Sequence, residues 1–90
     1  MKQLLPYVHI GFYQNKRCMV VIDDYALFDF IDDYLTEECA LPYECVAFLP
    51  RPGGEIVTMY FPASLSPEAI EQCLLELPIS QIVRIYASNN

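Results

Sequence analysis

Hydrophobic and polar positions alternate along Tyr7-Val8-His9-Ile10-Gly11-Phe12-Tyr13, a segment rich in aromatic and β-branched side chains, and this predicts a β-strand. The polar triplet Gln14-Asn15-Lys16 predicts a turn into a second strand, Arg17 to Ile22. That strand is apolar at both parities, with Cys18, Val20 and Ile22 pointing one way and Met19 and Val21 the other, so a central position covered on both faces is expected. From Asp23 or Asp24, either of which can accept hydrogen bonds from unpaired helix amides, the period changes. At 100° per residue, Leu27, Phe28, Phe30, Ile31, Tyr34 and Leu35 fall in one arc, and Asp29, Asp32, Asp33, Thr36 and Glu37 in the other. This division predicts an amphipathic helix that runs to about Glu38 and packs on a sheet.

The pattern then repeats in kind. Tyr43 to Leu49 reads as a third strand, Pro50-Arg51-Pro52-Gly53-Gly54 as a turn, and Glu55 to Phe61 as a fourth strand. Ser66-Pro67-Glu68 combines a capping hydroxyl, a proline at the first helical position and an acid near the positive helix end. The helix so started carries an inward stripe of Ile70, Cys73, Leu74 and Leu77 and is stopped by Pro78. Gln81 to Ser88 reads as a last strand. At an offset of 36 positions Tyr7, Ile10, Gly11 and Phe12 match Tyr43, Val46, Ala47 and Phe48, a similarity that duplication and strand composition both explain. The expected fold class is α+β. In the order ββαββαβ, a five-stranded, mainly antiparallel sheet lies under two helices on one face, as in a relative of the ferredoxin-like sandwich.

Length supports one domain over residues 1–90, because a chain of 90 residues has no room for two hydrophobic cores. With 54% hydrophobic residues and 7 Tyr plus 5 Phe, it has the material for a compact core and does not have the composition of a disordered chain. No run approaches about 18 consecutive apolar residues, and Met1 to Pro6 is too short for a signal-peptide core, so a cytoplasmic protein with no membrane association is expected. In that compartment the 4 cysteines, Cys18, Cys39, Cys45 and Cys73, are expected to be reduced and packed as small apolar side chains.

Charge changes the picture most. The formal net charge is −7. Asp23, Asp24, Asp29, Asp32, Asp33, Glu37 and Glu38 occupy residues 23–38 without a base among them, and Glu68, Glu71 and Glu76 lie on the second helix. Like charges at Asp29 and Asp33 repel across one helical turn, a cost that mixed charges would avoid. A surface of this sign repels phosphates and anionic membranes and attracts basic proteins, so direct nucleic-acid binding is not expected.

Candidate chemistry is sparse. If His9 and Cys45 lie on neighbouring strands, a thiol and an imidazole base come together, but no orienting third group or oxyanion-hole signature accompanies them. The cysteines lack zinc spacing, and the acids lack the glycine and alternating oxygens of a calcium loop. No catalytic residue, metal ligand or cofactor is therefore assigned. By strand alternation Tyr7, His9, Tyr13, Tyr60, Arg84 and Tyr86 share the sheet face turned away from the helices, joined by Cys45 and Thr58. Tyr and Arg are enriched as anchors of protein interfaces.

In size, acidity and fold type the chain resembles immunity proteins, antitoxins and phage-encoded inhibitors of host nucleases. The resemblance implies a non-catalytic module that binds a basic surface of a target protein, including a nucleic-acid-binding protein whose ligand it imitates electrostatically. The expected contact residues are Asp29, Asp32, Asp33, Glu37, Glu68, Glu71 and Glu76, with Leu75 as an apolar anchor among them. The alternative expectation is a structural or regulatory homodimer pairing through the tyrosine-bearing sheet face, with room for a small ligand between subunits.

Overall fold

The structure is a computed structural model that describes residues 1–14 and 16–89; Asn15, in the first predicted turn, lies outside the described residues. The alternating segment forms β2 (Val8–Tyr13), preceded by β1 (Lys2–Leu5) and followed by β3 (Arg17–Ile22). The amphipathic segment forms α1 (Tyr25–Asp33), which continues as a π-helical turn, Tyr34–Glu38. Then come β4 (Cys45–Arg51), β5 (Gly54–Tyr60), α2 (Pro67–Leu75) and α3 (Ile79–Asn89). The strands form one sheet in the order β1-β2-β3-β5-β4, with every neighbouring pair antiparallel.

An α+β fold with a five-stranded antiparallel sheet is thus present, but the expected order ββαββαβ is not. The fifth strand is N-terminal and pairs with β2, while Gln81 to Ser88, expected as a strand, is helical. There are accordingly three α-helices among the described residues where two were expected. The helix starts because Pro78, expected only to stop α2, has a carbonyl that accepts from the amides of Gln81 and Ile82 at 3.1 and 3.2 Å. Two ββα units nevertheless stand side by side, with β3 and β5 paired at the centre of β2-β3-β5-β4.

The core lies on one sheet face. Val8, Ile10, Val20, Ile22, Val57 and Met59 share one buried cluster with Leu27, Ile31 and Leu35 of the first helical segment, Ile70 and Leu74 of α2, and Ile82 of α3. Both expected caps form: Asp24 Oδ2 accepts from the Leu27 amide at 2.9 Å, and Ser66 Oγ from that of Ala69 at 3.2 Å. Pro50, expected in the turn, sits within β4, which tolerates it because an edge strand has amides with no ladder partner. The turn itself contracts to Pro52-Gly53, and Gly53 takes φ of 83°, a conformation a Cβ would strain. Arg51 closes this corner, donating from Nε to the Asp23 carbonyl at 2.9 Å and from Nη2 to the same oxygen.

Candidate functional site

Helical periodicity turns the first acidic run outward. Asp29, Asp33 and Glu37 are exposed, and no basic side chain among the described residues lies within ion-pairing distance of them, of Asp32 or of Glu38. Asp32 is half-buried and accepts from the Thr36 hydroxyl at 3.1 Å. Burial pushes its carboxyl above the usual range, Asp33 and Asp29 push the same way, and the Thr36 bond opposes them. Two bases pair elsewhere, Arg17 with Glu44 at 2.6 Å and Lys2 with Glu71 at 3.1 Å.

The second helix does not extend one continuous acidic patch. Glu76 follows α2, and its charge acts on Tyr34 and Cys73, which places it beside the π-helical turn. Glu68 and Glu71 instead line a cleft of about 380 Å³ between the start of α2 and the β1–β2 edge, with Met1, Ile10, Phe12 and Pro67 supplying apolar walls. Phe12 shares the strand parity of the core residues Val8 and Ile10, yet at this mouth it is 64% exposed. Leu75 is 46% exposed beside Glu76, and Ile79 and Val83 follow it at four-residue spacing on α3, both exposed. Reading Gln81 to Ser88 as a strand concealed the one-turn spacing of exposed Ile79 and Val83 on α3.

The opposite sheet face is partly as expected. Pairing across the strands sets Gln3, His9, Val21, Thr58 and Ala47 in one row and Gly11, Met19, Tyr60 and Cys45 in the next. Tyr13 meets Tyr60 edge-on at 4.8 Å and donates its hydroxyl to the Phe61 carbonyl at 3.1 Å, with the Arg17 guanidinium 5.4 Å from the Tyr13 ring centre. His9, Tyr13 and Tyr60 therefore remain candidates for this face. Arg84 and Tyr86 do not, because they ride on α3, and Tyr7 leaves it for the β1–β2 turn at φ of 65°. There the Tyr7 ring stacks on that of Tyr86, with centroids 3.6 Å apart and 6° between the planes. Met19 and Val21 are only half-buried, so the expected covering of β3 on both faces is not found: the buried helix residues all belong to the core on the other side.

His9 and Cys45 do not lie on neighbouring strands. Strands β2 and β4 are separated by β3 and β5, three spacings or about 14 Å. Among the described residues no three His, Cys, Asp or Glu side chains gather as a metal ion would require, and no helix is long and apolar enough to cross a membrane. The cysteines are unpaired. Burial, with Glu71 and Glu68 adding, pushes the Cys18 thiol up to about 11. Burial, with Cys39 and Glu76 adding, pushes the Cys73 thiol up to about 11. No family model, curated protein or solved structure matches the chain.

Proposed function

We propose that this chain is a small, non-catalytic cytoplasmic module that binds a basic surface of a target protein, in the manner of an inhibitor, immunity protein or antitoxin. One observation carries the reading: exposed Asp29, Asp33 and Glu37 and half-buried Asp32 lie on α1 and the π-helical turn with no ion-paired base among the described residues. Uncompensated like charge on a helix costs stability, and complementary charge across an interface raises association rates by about ten- to a thousandfold. Glu76, with exposed Leu75 beside it, extends the surface, while Glu68 and Glu71 lie apart at the cleft, where Glu71 is paired with Lys2. A nucleic-acid-binding protein is a fitting target because its ligand site is basic. The test is capture of a partner from extracts of the cells in which the chain is made, at low and high salt, with wild type compared against Asp29→Lys/Asp32→Lys/Asp33→Lys. Equal capture by both chains would remove the steering role.

A second reading, homodimerisation through the open sheet face, is favoured by a different observation. The rows through His9 and Tyr60 carry no acid, and the nearest, Glu44, is paired with Arg17. Two molecules of charge −7 repel least when they meet on a surface free of acids. Light scattering after size exclusion separates the readings: a dimer that Tyr60→Asp dissociates supports self-pairing, and a monomer at high concentration rules it out.

A further inference from the structure

The two outer strands of the sheet differ in how they are guarded. β1 has 4 residues, begins with Lys2 and is held to α2 by the Lys2–Glu71 pair; short length and a lysine commonly protect an outer strand from foreign pairing. β4 has 7 residues and bears no charged side chain from Cys45 to Pro50. Cys45, Ala47, Phe48 and Leu49 are exposed, so neither of its faces is closed over. Its ladder runs to β5 alone, which leaves the other side open among the described residues. The Phe61 amide donates to the Cys18 carbonyl on β3 at 3.0 Å, and Met59 and Val57, of the same parity, turn towards β3 as well. Their partners on β4, Val46 and Phe48, therefore direct their own amides and carbonyls outward. Pro50 shares that parity and loses no ladder bond by lacking an amide hydrogen.

On the helix side of this edge, the Phe48 ring centroid lies 5.9 Å from those of both Tyr25 and Phe28 in the first turn of α1. Tyr25 and Phe48 are exposed. Asp29 stands one helical turn beyond Tyr25, and Asp32 one turn beyond Phe28. We propose that the free edge of β4 is a strand-pairing site for an extended basic segment of a partner protein, with an arginine lying across Tyr25 and Phe48 towards Asp29. This pairing rests on the reading of a basic target given above and specifies how that target is held. The outward backbone groups of Val46 and Phe48 supply affinity without regard to sequence, and the ring pair supplies selectivity. A guanidinium suits the position because it stacks on aromatic faces and also bonds a carboxylate. A second copy of the chain fits less well: pairing β4 with β4 about a two-fold axis sets two acidic α1 helices on the same face of one sheet, where they repel.

The test titrates the isotope-labelled full chain with a synthetic peptide alternating arginine with threonine, at low and high salt, and follows amide exchange by NMR. Exchange of the Val46 and Phe48 amides is expected to slow about tenfold or more at saturation, and a peptide of equal length alternating glutamate with threonine is expected not to bind. Methylating alternate peptide amides on one side of the strand abolishes binding while methylating the other set does not, since only one set faces β4. Tyr25→Ala weakens binding about two- to fivefold, the loss of one cation–π contact at an exposed site. No binding at low salt, equal binding of the glutamate peptide, equal tolerance of both methylations, or binding that leaves the Val46 and Phe48 amides unchanged would overturn the proposal. In the last two cases, attraction that still weakens with salt and with Asp29→Asn/Asp33→Asn leaves the steering surface standing. Conversely, slowed exchange at an affinity indifferent to salt supports the pairing and removes the steering. Exchange that slows with rising protein concentration in the absence of peptide would assign the edge to a second copy and overturn the partner proposed.

Discussion

Replacing Asp24 by alanine tests how the acidic helix is anchored. Asp24 is 5% exposed; its carboxylate accepts from the Leu27 amide at 2.9 Å, and its carbonyl accepts from the Phe28 amide at 3.0 Å. Leu27 is itself fully buried, so Asp24→Ala leaves an amide that water does not readily reach. Loss of a cap costs about 0.5–2 kcal/mol, and an unsatisfied buried donor about 1–3 kcal/mol; these overlap, so about 2–3 kcal/mol is expected. Ser66 caps α2 in the same way at an exposed position, where water replaces the hydroxyl, and Ser66→Ala should cost about 1 kcal/mol or less. For a domain of this size, each kcal/mol moves the thermal midpoint by about 4–8 °C. Urea and thermal unfolding followed by far-ultraviolet circular dichroism should show Asp24→Ala at least twice as damaging as Ser66→Ala, with Asp24→Asn, which keeps an acceptor oxygen, recovering much of the loss. Equal losses from Asp24→Ala and Ser66→Ala would refute the claim that burial of the first cap sets its weight.

Two further predictions probe the fold. Ile82 is fully buried whereas Val83 is 40% exposed, so Ile82→Ala should cost about 2–4 kcal/mol by urea unfolding and Val83→Ala well under 1 kcal/mol; equal costs would contradict the helical placement of Gln81 to Ser88. At high pH, the folded chain holds the Cys18 proton to about 11 while the ordinary thiol value is 9.0, so the native state keeps a proton that the unfolded chain loses. Stability should fall as pH rises from about 9 towards 11, Cys73 and Tyr34 should contribute in the same direction, and Cys18→Ala should lessen the slope of the urea midpoint against pH. A wild-type midpoint independent of pH in that window would refute the assignment.

Four strands and the first two helices were legible because each shows one dominant period or one strong terminal signal. Val8 to Tyr13 alternates, residues 27–38 divide cleanly into arcs, and Ser66-Pro67 marks a helix start. Lys2-Gln3-Leu4-Leu5 was not legible as a strand, since four residues before a proline show no usable period; pairing with β2 supplies the missing support. Gln81 to Ser88 misled because β-branched Ile82, Val83 and Ile85 favour a strand locally. Ile82 and Ile85 also lie one helical turn apart, and packing of that stripe on the core decides for the helix. At the candidate site, the outward direction of Asp29, Asp33 and Glu37 followed from helix geometry alone. The separation of Glu76 from Glu68 and Glu71 did not, because it depends on how α2 crosses the sheet. On the open face, parity placed Met19 and Val21 correctly, but their apolar character was mistaken for burial.

The central claim, that unneutralised acids on α1 and the π-helical turn draw the protein to a basic partner, is tested most directly by comparing wild type with Asp29→Asn/Asp33→Asn/Glu37→Gln. Removing repulsion at exposed positions should leave this variant at least as stable as wild type, so a binding defect cannot be ascribed to unfolding. Both chains are immobilised at equal density, exposed to native-cell extract at low ionic strength and at about 0.5 M salt, and the retained proteins quantified by mass spectrometry; screening lengths shrink from tens of ångströms to a few over such a range. The account predicts a basic protein held by wild type at low salt and lost both from the variant and at high salt. Retention of the same protein by both chains at either salt concentration would contradict it.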